Sequence, residues 1–197
     1  TDISIDYQQA WSNRFWLTAR GNFTYAKSQY EVFEEPQYDE LWRYRKGNSL
    51  SQTYGYIAEK LFIDEVEVAN SPRQFGEYRA GDIKYLDVNR DGNITEADQV
   101  PIGHPTTPEI VYGFGFSLGY RNFDFSSFFQ GLANESFWIN VAATSPFNNE
   151  TQLLKAYADS YWSEDNRDIY AIWPRLSPTV NANNNQTSTW FMRNGSF

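Results

Sequence analysis

A strictly alternating run in the middle of the chain constrains the fold most. Between positions 111 and 131, VYGFGFSLGYRNFDFSSFFQG, aromatic or aliphatic residues alternate with small or polar ones. Successive side chains of a β-strand point to opposite faces, so the run predicts a strand with one apolar face and one slim face. The dipeptide Arg121-Asn122 can form a two-residue turn into a return strand that starts at Phe123. The apolar face comprises Tyr112, Phe114, Phe116, Leu118 and Tyr120, and the slim face comprises Gly113, Gly115, Ser117, Gly119 and Arg121.

Two architectures can accommodate such a hairpin. In a soluble β-sandwich, a second sheet has to cover the aromatic face, whereas a membrane β-barrel turns that face to lipid with tyrosines near the headgroups. A mean hydropathy of -0.65 and the lack of a run of about 18 apolar residues exclude a helical membrane protein. They do not exclude a barrel, whose strands give a weak hydropathy signal.

The first 33 residues predict a second hairpin. Ile3, Ile5 and Tyr7 alternate with polar residues, and the stretch 11–14 is a plausible turn. The alternation resumes at 15–25, which is long for a globular strand, where about 5–6 residues are usual. Long strands with one apolar face and one small or polar face suit a large barrel.

The remaining segments are rich in Pro, Gly, Asp and charged residues. The pattern therefore predicts a hairpin at 1–33, a loop-rich insert at 34–110, a hairpin at 111–131 and a loop-rich region at 132–197 that ends in the start of another strand. Within the loop-rich parts we expect a short helix near 64–71, a strand at 82–85 and an exposed polar loop at 181–189. A short amphipathic helix is expected where Leu153, Leu154, Tyr157, Ala158 and Tyr161 have helical spacing.

Charge and cysteine content exclude several functions. The net charge is -9 and no basic patch is evident, which argues against a nucleic-acid partner. The absence of cysteine excludes disulfides, thiolate zinc sites and thiol nucleophiles. The chain begins inside a strand pattern without a signal peptide, and it stops without a terminating signal, so we expect it to be a segment of a longer protein.

The stretch DVNRDGNITEAD, positions 87–98, has the spacing of a calcium-binding loop. Gly92 permits the sharp turn and Ile94 anchors the loop in the core. Because the flanking residues do not form a helix pair, the loop is expected to be a structural brace and not a sensor. Asx-turn hydrogen bonds alone could also hold this shape. The candidate ligands are Asp87, Asn89, Asp91, Asn93 through its backbone carbonyl, Thr95 through its hydroxyl or a water, and Asp98.

No residue pattern indicates catalysis. His104 is the only histidine, it lies in a Pro/Gly turn, and no nucleophile accompanies it. Adjacent carboxylates such as Glu34 and Glu35 are more easily explained as solvated loop charges than as a glycosidase pair. We therefore expect no enzyme and single out no substrate-binding residue.

Four motifs together resemble a known family. In order they are GYIAEKLF (55–62), GDIKYLDVNRDGNITEADQVPIGHPTTPEIVYGFGFSLGYRNFDFSSFFQG (81–131), YWSEDNRDIYAIWPRL (161–176) and NNQTSTWFMRNGSF (184–197). They resemble the C-terminal part of SusC/RagA-type TonB-dependent outer-membrane transporters of Bacteroidetes. The resemblance covers most of the chain, and Lys60 departs from the family, which usually has glycine before the LF pair.

The resemblance implies an all-β fold: antiparallel hairpins that form part of a large transmembrane β-barrel, with loop-rich extracellular inserts and short helices. It implies import of oligosaccharides or peptides across the bacterial outer membrane. The implied partners are a SusD/RagB-like surface lipoprotein, outer-membrane lipid, and the TonB complex, which would be contacted through parts absent from this chain. Calcium in the 87–98 loop would be structural.

Two other functions remain open on the sequence. One is a secreted carbohydrate-binding β-domain with a structural calcium, and the other is a segment of a calcium-dependent glycoside hydrolase. The aromatic hairpin separates the first from a transporter, because a binding domain must cover that face with a second sheet. A hydrolase needs two carboxylates that converge in a cleft, about 5–10 Å apart.

Overall fold

The computed structural model describes residues 1–12 and 14–197. The strands are β1 Asp2–Ser12, β2 Phe15–Tyr25, β3 Thr53–Gly55, β4 Ala58–Leu61, β5 Ile83–Tyr85, β6 Val100–Ile102, β7 Ile110–Tyr120, β8 Phe123–Ala133, β9 Ser136–Trp138 and β10 Met192–Asn194. The α-helices are α1 Glu65–Ala69, α2 Val141–Thr144 and α3 Lys155–Asp159, and 3-10 turns cover Leu41–Arg43, Glu96–Asp98 and Asn148–Glu150. No helix in these described ranges is both long enough and apolar enough to cross a membrane.

The four long strands form one antiparallel sheet in the order β1-β2-β7-β8. The turn predicted at 11–14 includes Asn13, which lies outside the described residues. The second predicted turn is present, and it places Arg121 at a φ of 58°. Strands β2 and β7 are neighbours although residues 26–109 separate them, and they pair without a break from Phe15 opposite Tyr120 to Tyr25 opposite Ile110.

The register collects most of the apolar residues of the four strands on one face, whereas Trp16 and Phe128 lie on the other. Residues directly opposite each other in an antiparallel pair share a face, so Ile5, Gly21, Phe114 and Phe129 form one row across the sheet. The side chains of this face lie open: Ile5 is 66% exposed, Phe114 52% and Phe129 51%. A sandwich would bury these rings under a second sheet. The bare face is therefore the arrangement expected for a barrel wall.

The two loop-rich segments fold together around one core. β3 pairs with β6 and β4 pairs with β5 within the insert, while β9 pairs with β10 within the C-terminal region. Backbone bonds then join the two segments, since Leu61 N–H donates to Ile169 O over 2.9 Å. The buried core side chains from the insert are Tyr56, Leu61, Ala80, Ile83, Tyr85 and Ile94, and those from the C-terminal region are Val141, Tyr157, Trp162, Ala171, Trp173 and Phe191.

The prediction of an exposed loop at 181–189 is wrong. Asn183 and Ser188 are fully buried. The Asn183 Nδ2 donates to Ile83 O over 2.8 Å, and its Oδ1 accepts from Gln74 Nε2 over 2.9 Å. Asn184 Oδ1 accepts from Ile83 N–H over 2.9 Å. The amide groups are buried because they satisfy the backbone of strand β5, which among the described strands has a sheet partner on only one side.

Both predicted helices are present, and one is shorter than expected. α1 starts at Glu65, where Asp64 caps the helix by accepting from Glu67 N–H over 2.8 Å. α3 covers only Lys155–Asp159 and buries Tyr157. Leu154 precedes that helix and is 49% exposed. The predicted helix, which included Leu154, was therefore longer than the one in the structure.

Candidate functional site

The 87–98 loop lies between β5 and β6 and is anchored at its centre. Ile94 is 4% exposed and packs in the shared core. Its N–H donates to Arg73 O over 2.7 Å, and the Arg73 N–H donates to Gly92 O over 3.0 Å. Gly92 has a φ of +85°, a conformation that favours glycine. The loop is thus held to a neighbouring segment of the insert by its backbone as well as by a buried side chain.

Asp87 closes the first half of the loop. Its Oδ1 accepts from Arg90 N–H over 2.7 Å and from Asp91 N–H over 3.2 Å. Its Oδ2 accepts from Gly92 N–H over 2.8 Å. Asn89 and Asp91 repeat the pattern at shorter range, since Asn89 Oδ1 accepts from Asp91 N–H over 3.1 Å and Asp91 Oδ1 accepts from Asn93 N–H over 2.8 Å. These are Asx turns in series.

Asp98 closes the second half from the interior. Its side chain is fully buried, with Oδ1 accepting from Val88 N–H over 2.8 Å and from Asn89 N–H over 3.3 Å. Oδ2 accepts from Thr95 N–H over 2.8 Å, and the Thr95 hydroxyl in turn accepts from Ala97 N–H over 3.2 Å. This reciprocal pair is a capping box at the start of the 3-10 turn.

The predicted calcium ligands therefore share one loop, and five of the six already accept from backbone N–H groups through side-chain oxygens: Asp87, Asn89, Asp91, Thr95 and Asp98. An ionised carboxylate offers about four lone-pair sites, so Asp87 retains acceptor capacity beyond its three hydrogen bonds. Oxygen ligands of this kind are those that calcium prefers. Among the residues described, no group of three or more His, Asp or Glu side chains is placed so that it could hold a metal ion. Hydrogen bonding alone is sufficient to close the loop.

The loop also contacts the rest of the insert. Trp42 Nε1 donates to Ala97 O over 2.8 Å. Gln99 Nε2 donates to the Tyr56 hydroxyl over 3.1 Å, and burial raises the pKa of that hydroxyl. The 3-10 turn at the end of the loop is therefore a connection between the segment around Trp42 and the shared core.

Two charge clusters were not predicted from the sequence, one fully buried at Asp82 and one partly buried at Glu67. Fully buried Asp82 accepts from Asn184 Nδ2 over 2.8 Å and pairs with Arg175 Nε over 2.9 Å, and burial raises its pKa against the opposing effect of the arginine. Glu67 pairs with Lys60 over 2.9 Å and with Lys84 over 3.1 Å. Burial raises the pKa of Glu67, but the lysines and a backbone N–H outweigh that effect and lower it to about 2. Their partners are far apart in sequence, so no local motif signals them.

The only histidine lies in an exposed turn after β6. The His104 backbone N–H donates to Ser136 Oγ over 2.9 Å, which is a structural contact. Of the candidate carboxylates, Glu35 accepts from the Arg45 N–H over 2.9 Å. These contacts tie loops together.

The amino-acid sequence matches known TonB-dependent receptors over part of its length. No family model matches the chain. Two curated proteins of Formosa agariphila match in sequence: TonB-dependent receptor P26 is 34% identical over 87 residues, 44% of this chain, and TonB-dependent receptor P3 is 26% identical over 144 residues, 66% of this chain. The matches span 9% and 14% of those receptors, so the chain corresponds to a small part of their length.

Solved structures match in fold over almost the entire chain. The RagAB peptide transporter matches with a TM-score of 0.63 at 14% identity, covering 99% of this chain and 20% of the other. The RagAB peptide importer matches with TM-scores of 0.57 in its open-open state and 0.56 in its closed-closed state, at 13% and 15% identity. Identities this low support a shared fold.

The fold and the bare apolar face define the class of protein. The chain is an all-β segment of a large outer-membrane β-barrel, with short helices and loop-rich inserts. The fold and the outer-membrane location predicted from the sequence are thereby confirmed. More particularly, the comparisons confirm the predicted resemblance to SusC/RagA-type TonB-dependent transporters of Bacteroidetes.

Proposed function

We propose that this chain forms part of the barrel wall and the extracellular region of a TonB-dependent importer of oligosaccharides or peptides. The observation that carries the proposal is the four-stranded sheet, whose apolar face is uncovered while the opposite face carries mostly small or polar residues. A wall between lipid and an aqueous interior needs that division. The relatives are receptors or transporters, which argues against catalysis.

The loop-rich segments belong outside the cell in this proposal. Outer-membrane barrels have short periplasmic turns and longer extracellular loops. Residues 26–109 connect β2 to β7, whereas only Arg121 and Asn122 connect β7 to β8. The insert and the C-terminal region would therefore present their shared core on the extracellular side, where a SusD/RagB-like lipoprotein would dock. The TonB complex would act through parts of the protein outside this chain.

Uptake by the full-length receptor tests this function. A deletion strain complemented with the gene should remove components from a pool of neutral oligosaccharides or from a pool of short peptides, and only when TonB is functional. The depleted pool, identified by mass spectrometry, gives the substrate class. Removal of neither pool by the complemented strain would contradict the proposed function.

We also propose that the 87–98 loop binds calcium as a structural brace. The support is the ligand spacing, together with the acceptor capacity that remains on Asp87. Calorimetry on the full-length receptor should detect calcium binding that Asp91→Asn weakens about tenfold, since affinity follows the number of charged ligands. Asn retains a side-chain oxygen for the Asn93 N–H, so the loop itself should persist. Asp2→Asn, at an exposed position in β1, is the control. No binding at millimolar calcium would refute the calcium site.

A further inference from the structure

Two arginines meet at the end of the four-stranded sheet where β2 begins and β7 ends. Arg14 precedes β2 and Arg121 follows β7, so they are opposite each other, one step beyond the pair of Phe15 and Tyr120. The Arg121 N–H donates to Arg14 O over 2.7 Å, which continues the ladder between the two strands. Both arginines are exposed. We call these two residues the Arg14–Arg121 pair.

The pair has no carboxylate that balances its charge. Among the residues that the structure describes, neither arginine forms an ion pair. Asp124 is near in sequence, but it is aligned with Gly119 on the polar face, where a Cβ at Gly119 would come within 2.8 Å of its Oδ1. Like charges directly opposite each other on neighbouring strands destabilise a sheet. In a chain of net charge -9, this unbalanced pair indicates an anion from outside the chain.

The side chain of Arg121 adjoins the apolar face, although strict alternation assigns it to the polar one. Its Cζ lies 5.2 Å from the centroid of the Tyr120 ring, which is a cation–π distance. Tyr120 in turn contacts Phe15 at a centroid distance of 6.3 Å, and Trp11 stacks on Phe15 at 4.9 Å. Trp and Tyr are enriched where a membrane meets water, at the level of the headgroups. The aromatic cluster therefore places the arginines at headgroup depth.

Phosphate groups match the donors that the pair offers. A guanidinium stays charged at physiological pH, and its planar fork binds two oxygens of one phosphate. In the proposed orientation this end of the sheet is periplasmic, because the long insert 26–109 leaves the sheet at the other end. Clusters of basic residues beside a membrane favour anionic lipids. An anionic phospholipid presents its phosphate without the headgroup ammonium that two arginines would repel.

We propose that the Arg14–Arg121 pair binds the headgroup phosphate of an anionic phospholipid in the periplasmic leaflet. The guanidinium groups bind the phosphate, and the rings of Trp11, Phe15 and Tyr120 contact the adjoining acyl chains. The phosphate offsets the repulsion between the two arginines and fixes the depth of this end of the sheet in the membrane. The inference rests on the proposed barrel wall, to which it adds a specific lipid site.

Lipid binding by the full-length receptor in detergent micelles tests the site, with acyl-labelled lipids followed by fluorescence anisotropy. Phosphatidylglycerol should bind several-fold more tightly than phosphatidylcholine, which has the same phosphate and a cationic headgroup. Arg14→Gln and Arg121→Gln should each weaken phosphatidylglycerol binding about fivefold, the contribution of one arginine beside an anionic surface. Arg20→Gln is the matched control, because it removes an exposed charge from the polar face of the same sheet.

Salt provides a second test that needs no variant. Raising sodium chloride from about 0.02 M to about 0.5 M shortens the Debye length from about 20 Å to about 4 Å. Phosphatidylglycerol binding to the wild-type receptor should weaken several-fold over this range, whereas phosphatidylcholine binding should not change. Inorganic phosphate at millimolar concentration should not displace the lipid, because the acyl chains contribute their own contacts with the aromatic rings.

Three results would each overturn the lipid site. They are unchanged phosphatidylglycerol affinity in both glutamine variants, equal wild-type affinity for the two lipids, and displacement of the lipid by inorganic phosphate, which would show a simple phosphate site. Uptake by the complemented strain separates this proposal from the import function. Any of the three results together with TonB-dependent uptake would refute the lipid site alone. Arginine-dependent lipid binding by a receptor that takes up neither pool would refute import and retain the lipid site.

Discussion

A lysine at position 129 should destabilise the barrel far more than a lysine at position 128. The two residues are adjacent in β8, and the register places Phe129 on the apolar face opposite Phe114 and Phe128 on the polar face opposite Gly115. Both are phenylalanines and both are largely exposed in this chain, at 51% and 65%. The two variants therefore differ in the face of the sheet and in the loss of the Phe114 stack of Phe129.

The magnitude follows from the depth of Phe129 in the bilayer. Strand β8 has 11 residues, which extend about 37 Å at about 3.4 Å each, and a tilt of about 40° reduces this to a height of about 28 Å. That height matches the hydrocarbon thickness, and Phe129 is one position from the strand centre. A lysine near the bilayer midplane costs about 2–4 kcal/mol. Loss of the Phe114 stack, at a centroid distance of 5.0 Å, adds about 1 kcal/mol.

Denaturant unfolding of the full-length receptor in lipid vesicles measures the difference. Phe129→Lys should lower the free energy of unfolding by about 3–5 kcal/mol. Phe128→Lys should lower it by less than about 1 kcal/mol, because the polar face keeps the ammonium hydrated. Phe129→Leu, which keeps an apolar side chain, is the control for lost aromatic packing. Equal losses for the two lysine variants would refute the assignment of the apolar face to lipid.

Two further predictions concern the shared core of the loop-rich segments. The pKa of Glu67 is lowered to about 2 in the folded state from 4.5, so its ion pairs stabilise the fold fully above about pH 4.5 and are lost as the pH falls toward 2. Urea unfolding followed by tryptophan fluorescence should show this loss of stability. Glu67→Gln should remove this pH dependence. Gly81→Ala should cost at least about 2 kcal/mol, because φ is +82° and the new Cβ would overlap the Trp162 ring, whereas Gly47→Ala, at φ +86° with no neighbour within 4 Å, should cost about 1 kcal/mol. Equal costs at positions 81 and 47 would show that the Trp162 contact is unimportant.

The hairpins were predictable because the alternation that indicates them lies within short, continuous runs of the sequence. Alternation over eleven residues assigns every side chain of β7 to a face, and a slip by one residue would turn Phe114 and Phe116 to the polar side. The sequence also predicted the short helix α1 and the strand β5, each from a run of a few residues. The pairing of β2 with β7 was not predicted, since nothing local links positions 15–25 to 110–120.

The shared core shows where sequence patterns fail. The polar tract 181–189 has the composition of an exposed loop, yet Asn183 and Asn184 replace a missing strand beside β5 by binding the backbone of Ile83. Composition alone cannot distinguish a solvated amide from one that is buried against an unpaired strand edge. The buried pair of Asp82 and Arg175 could not be predicted either, because the two residues are distant in sequence and meet only in the folded structure.

The 87–98 loop has a structural role that does not depend on a metal ion. It buries Ile94 in the core, binds Arg73 through its backbone and accepts the Trp42 indole at Ala97. Asp98 holds both ends of the loop from a fully buried position, so its three hydrogen bonds compensate for the loss of hydration. Calcium would add to this framework by neutralising the exposed carboxylate of Asp91 beside that of Asp87. The loop is therefore a brace by its packing, and a metal ion would strengthen a connection that is already complete.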